Sequence, residues 1–179
     1  AAQHLADMIM SGLGSAVSLI TAETGRAIFR SNSAGEAEGI EHFGYVDGRG
    51  QPLLLQELVD REAAGGGIDQ WNAAFPLSQV LVPDPGSPDT GTAFGSYFVF
   101  RKLEQQVKAF KAREEELGAE LGIGELAGAF LVGRFEDGTP VTLQGTEGLD
   151  HPVPNNFNYA ADSAGARCPF FAHIRKTNP

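Results

Sequence analysis

Cysteine is almost missing from this chain. Cys168 is the only one in 179 residues, so no internal disulfide and no cysteine-built metal cage can form. Set between Arg167 and Pro169 beside an apolar run, that thiol reads as packed rather than reactive. Basic residues are scarce as well: 13 Lys and Arg stand against 23 Asp and Glu, a formal net charge of −10. With no basic cluster interleaved with aromatics, this balance excludes a general nucleic-acid binder and favours neutral or cationic partners. No apolar run approaches the roughly 20 residues that cross a bilayer, so no membrane partner is expected. Short-period repeats, coiled-coil heptads and low-complexity tracts are missing. So are a Ser-His-Asp order and a phosphate-cradling glycine loop. His4, His42 and His151 show no metal-ligand spacing to one another.

What is present is the composition of a folded globular protein, 42% apolar and 20% charged. Leu5, Met8, Ile9 and Leu13 recur at helical spacing and predict a helix over 3–13. Val17 to Thr21 alternates as a strand, and a turn at Glu23-Thr24-Gly25 leads into Arg26-Ala27-Ile28-Phe29. Residues 31–39 are polar and glycine-containing, hence a loop. Gly44, Gly48 and Gly50 then crowd around Asp47. Such glycines permit positive φ and close approach of the backbone to a flat ligand, although Asp47-Gly48 alone equally makes a simple turn. A helix follows over 53–63, with Pro52 near its first position.

The Pro- and Gly-rich stretch 83–92 reads as a linker between a unit at 1–82 and a unit at 93–179. Phe94 to Arg101 has the continuous apolar character of a strand. Leu103, Val107, Phe110 and Leu117 form one face of a helix, and Lys108, Lys111, Glu114 and Glu115 on its other face read as solvated. A shorter helix is expected over 123–132, a turn within Phe135 to Thr139, and an extended stretch from Pro140 to Leu143. Strands and helices in this arrangement predict an α+β architecture.

Near the carboxyl end, Phe170, Ala172 and Ile174 alternate with Phe171, His173 and Arg175 in the manner of a half-buried strand. His173 would share a face with Phe171 and Arg175. A neutral imidazole in an apolar wall suits haem iron, and a neighbouring cation can meet a haem propionate. A hydrogen-bonded core histidine is the other reading, and the residues alone leave both open.

The segment Cys168-Pro169-Phe170-Phe171-Ala172-His173-Ile174-Arg175-Lys176-Thr177-Asn178-Pro179 resembles the proximal-haem segment of dye-decolourising (DyP-type) peroxidases. Phe43-Gly44-Tyr45-Val46-Asp47-Gly48-Arg49-Gly50-Gln51-Pro52 resembles that family's G-x-x-D-G signature, and Phe94 to Leu103 is similar to a family strand. Order and separation of the motifs also match. The resemblance implies a fold of two ferredoxin-like halves with antiparallel sheets (a dimeric ferredoxin-like α+β fold), of which this chain holds the middle part. It implies haem b, iron protoporphyrin IX, as cofactor, with His173 as proximal iron ligand and Asp47 as distal acid–base residue. Gly48, Arg49 and Gly50 correspond to a segment against the haem, Arg175 lies beside the ligand, and Asn178 and Pro179 fall near the propionates. The implied reactants are hydrogen peroxide and a reducing substrate such as a dye or phenol. The family's distal arginine falls beyond Pro179, so a second chain supplying the C-terminal part is expected. The start of the chain lacks the positive region of a signal peptide, but the resemblance maps it to the interior of longer sequences. A haem carrier with little turnover is the alternative. Tyr45, Tyr97, Tyr159 and Trp71 read either as electron relays or as core and interface aromatics.

Overall fold

A computed structural model describes residues 2–46, 53–89, 91–149 and 155–177. Helix α1 (Ala2–Leu13) opens the chain, as its apolar spacing predicts. Its stripe of Leu5, Met8, Ile9 and Leu13 is nonetheless exposed. An antiparallel hairpin follows, β1 (Ile28–Ser31) against β2 (Ala37–Ile40), in the register Ile28↔Ile40 and Ser31↔Ala37. Asn32 makes its turn: the side-chain oxygen accepts from the amides of Ala34 and Glu36, and Gly35 takes φ +80°. The 31–39 loop of the sequence reading is thus a hairpin whose second strand was hidden by polar residues.

Helix α2 (Gln56–Ala64) lies within a few residues of its expected span and stops at the glycine run. Short strands β3 (Val82–Pro83) and β4 (Phe94–Gly95) pair antiparallel around the Pro- and Gly-rich stretch. The rest of the expected strand through Arg101 has no ladder among the described residues, and neither has Val17 to Thr21. Both expectations fail for one reason: a strand exists by virtue of a hydrogen-bonded neighbour, which sequence pattern alone does not supply.

The buried part of the molecule gathers around α3 (Val107–Leu121), α4 (Leu126–Val132) and α5 (His173–Thr177). Ala129, Phe135, Val141, Cys168 and Ala172 form its core, with Leu126, Phe130 and Tyr159 packed against them. Gly122, at φ +67°, ends α3, and the chain turns back so closely that a Cβ on Gly118 would meet the Gly124 carbonyl oxygen at 2.7 Å. The predicted turn at Phe135 to Thr139 closes with the Phe135 amide donating to the Thr139 carbonyl at 2.9 Å. Beyond it, Pro140 bridges Arg134 but Val141 to Leu143 turn rather than extend.

Hydrogen bonds tie residues before 82 to residues after 93. Arg30 donates to the Glu136 carbonyl at 2.6 Å, and the Val46 amide donates to the same oxygen at 3.0 Å. The Asn156 side chain donates to the Gly66 carbonyl at 2.8 Å. Among the described residues no helix is long and apolar enough to cross a membrane.

Candidate functional site

His173 begins a helix, not a strand. Two observations replace the expected alternation. Phe170 and Phe171 are both exposed, 61% and 59%, so no single face is buried, and the Ala172 amide donates to the Pro169 carbonyl at 2.9 Å in a turn that starts α5. Pro169, with φ fixed near −65°, suits the entry to such a turn. In the helical setting His173 and Arg175 no longer share a face. The imidazole is exposed, whereas the Arg175 side chain is 8% exposed.

Arg175 is turned inward onto Asp162. Its Nη1 lies 2.7 Å from Asp162 Oδ2 and also donates to the Cys168 carbonyl, while Nη2 donates to the Asp162 carbonyl at 2.7 Å. The guanidinium sits over the Phe170 ring at 4.5 Å and the Tyr159 ring at 4.7 Å. Asp162 in turn accepts the backbone amides of Ala166 at 2.7 Å, Arg167 at 3.0 Å and Cys168 at 2.9 Å. Burial pushes the carboxyl pKa up, but these three amides and the guanidinium outweigh it and hold the group at about 2. Asp162 was not singled out by sequence. The available signal is an aspartate heading a turn with glycine three residues on, here Gly165 at φ +69°, an arrangement in which the side chain caps its own backbone.

Cys168 is fully buried, as its neighbours suggested, and burial raises its pKa. Gly133, at φ +99°, leaves room for Ile174, whose Cδ1 would lie 2.9 Å from a Cβ there. The segment that carries His173 therefore rests on the end of α4.

Asp47, Gly48, Arg49 and Gly50 lie outside the described residues, as do Asn178 and Pro179. The stem that delivers Asp47 is described. The Glu41 side chain accepts the amides of Phe43 and Tyr45, Gly44 takes φ +102°, and Val46 bridges Ile40. Tyr45 is buried and donates from its hydroxyl to Glu114 at 2.5 Å. Lys111 bridges Glu114, at 2.8 Å, to Glu136 and lies 5.2 Å from the Tyr45 ring centroid. Burial, then the Glu114 carboxylate, raises the phenol pKa. The charged face of α3 is thus not wholly solvated: Glu114 is buried because Tyr45 and Lys111 satisfy it. Tyr97, by contrast, is exposed, while Tyr159 and Trp71 are half-buried. His4 and His42 are exposed, and no group of three or more potential metal ligands occurs among the described residues.

Similarity to known proteins decides how this geometry is read. The multifunctional dye peroxidase DyP2 of Amycolatopsis is 54% identical over 168 residues, covering 91% of this chain and 35% of its own length. A solved structure of DyP2 from Amycolatopsis superposes with a TM-score of 0.89 at 51% identity, covering 99% of this chain and 38% of that one. The chain belongs to the DyP-type peroxidases. A DyP-type peroxidase of Anabaena matches at 45% identity with a TM-score of 0.75, over 86% of this chain and 32% of its own. No family model matches. The DyP-type chain described here spans about a third of the length of the curated relatives it matches. Its α+β architecture with antiparallel strands is part of the ferredoxin-like fold of its structural neighbours.

Proposed function

We propose that this chain is the haem-holding portion of a peroxidase that uses hydrogen peroxide to oxidise dyes, phenols or similar donors. The observation that carries the reading is an exposed His173 on α5, flanked by exposed Phe170 and Phe171, in a chain 54% identical to a dye peroxidase. An imidazole donor beside exposed phenyl rings fits a flat apolar macrocycle with iron at its centre, so haem b is the cofactor we assign. Bound there, haem supplies the redox centre at which peroxide is reduced and a donor is oxidised.

The residues of the chain then divide the remaining work. His173 would hold the iron. Asp47 would serve as the acid–base group that shuttles a proton of the peroxide. By the family resemblance, Gly48, Arg49 and Gly50 would lie against the haem, and Asn178 and Pro179 near its propionates. Arg175 already has an anion in Asp162, so a propionate would be its second. A further stretch, on this polypeptide or on a second one, contributes a distal cation that supports peroxide cleavage.

An absorption spectrum of the full-length protein, before and after stoichiometric peroxide, tests the assignment. His173→Ala should lose most of its Soret absorbance per protein. Asp47→Asn should keep it and react with peroxide on the order of 100-fold more slowly or worse. A His173→Ala protein with an undiminished Soret band would overturn the reading.

A further inference from the structure

We propose that Asp162, acting through Arg175, is the positioning residue that sets where the His173 imidazole points. The proposal rests on the reading of His173 as an iron ligand. Helix α5 has five residues, far fewer than the roughly 12 a helix needs to persist unaided, so its placement must come from side-chain contacts. Two of them are apolar. Ala172 is fully buried, and Ile174 occupies the space that Gly133 leaves by having no Cβ. Arg175 adds one that is polar and directional.

At about 100° per residue, positions two apart lie roughly 200° from each other around a helix. Drawing Arg175 into the interior therefore turns His173 outward. The observed burial agrees: the Arg175 side chain is 8% exposed and His173 lies exposed. Asp162 cannot follow if the helix shifts, because the amides of Ala166, Arg167 and Cys168 fix its carboxylate. Nor can the guanidinium swing, held over the Phe170 and Tyr159 rings and bonded to two Asp162 oxygens. Contacts outside the ligand shell orient a metal ligand. Loss of one bonded directly to the ligand costs about 10- to 100-fold in metal affinity, an upper bound for a pair that acts through the helix.

A merely structural ion pair would change stability and leave the iron bond alone, so the test reads the bond itself. In the full-length, haem-loaded protein, Asp162→Asn and Arg175→Lys are compared with the parent. Arg175→Lys keeps the charge and loses the two-pronged donor. Both variants should shift or broaden the iron–histidine stretching band in the resonance Raman spectrum of the reduced protein. Both should release haem to excess apomyoglobin faster, by up to about 10- to 100-fold. Where Asp162→Asn does not fold, Arg175→Lys gives the same two readings. Folded variants with the parent's band and the parent's release rate overturn the proposal while leaving His173 as the ligand. A parent with no iron–histidine band overturns the ligand reading first.

Discussion

A carboxylate buried between backbone amides and a guanidinium must be ionised to hold them, and this ties Asp162 to pH. Its folded pKa of about 2 lies below the ordinary 3.8. A group depressed in this way contributes stability that is fully present above the unfolded value and is lost as pH falls through the folded one. The interval is worth about 2 kcal/mol at 1.36 kcal/mol for each tenfold change in proton affinity. The stability gap between the parent and Asp162→Asn should therefore narrow by that amount between about pH 4 and pH 2, as followed by urea unfolding at fixed ionic strength. A gap independent of pH across this range would show that the carboxylate is not the group so stabilised. Single residues were unevenly legible in the sequence. Cys168 could be read as packed because Pro169 and the apolar run from Phe170 follow it directly. Asp162 could not, since its partners are amides and an arginine brought to it by the turn. Glu114 was misread as solvated because its satisfying phenol, Tyr45, lies 69 residues away.

At the scale of elements, helices were easier to read than strands because their signal is local. The apolar spacing of α1 and the charged and apolar faces of α3 are visible within each segment. The strand expected through Arg101 and the one at Val17 to Thr21 depend on neighbours, and α5 was mistaken for a strand because two exposed phenylalanines imitate alternation. Gly118 shows how an element's sequence serves its packing. In a free helix, Gly to Ala gains about 1 kcal/mol from propensity. At Gly118 the added Cβ would sit 2.7 Å from the Gly124 carbonyl oxygen, and backbone cannot step aside cheaply. Overpacking of this kind costs about 1–3 kcal/mol, so the steric term wins. Gly118→Ala should lower stability by up to about 2 kcal/mol in denaturant unfolding, the balance of those two terms. A stabilised variant would mean that the turn after α3 is looser than its geometry implies.

For the whole molecule, the informative feature is apolar surface with nothing against it. Tyr97, Phe98, Val99 and Phe100 are consecutive and exposed at 87%, 88%, 75% and 61%. In an extended stretch, neighbours point to opposite sides, so both sides of this stretch are bare. A strand with two apolar faces belongs inside a sheet covered above and below. Ile20, at 94% exposed, marks a second such stretch, and Lys102 reaches Glu23 at 2.9 Å, which brings the two near each other. The relatives are about three times as long as this chain, and the Amycolatopsis structure matches nearly all of it with most of its own length to spare. These two stretches are where the remainder of such a protein should add strands. In a polypeptide of the relatives' length, the amides of Leu19, Ile20 and Tyr97 to Phe100 should exchange with solvent deuterium as slowly as those of the β1–β2 hairpin. Exchange within seconds at neutral pH, as in an unpaired loop, would show that no neighbouring strand forms there.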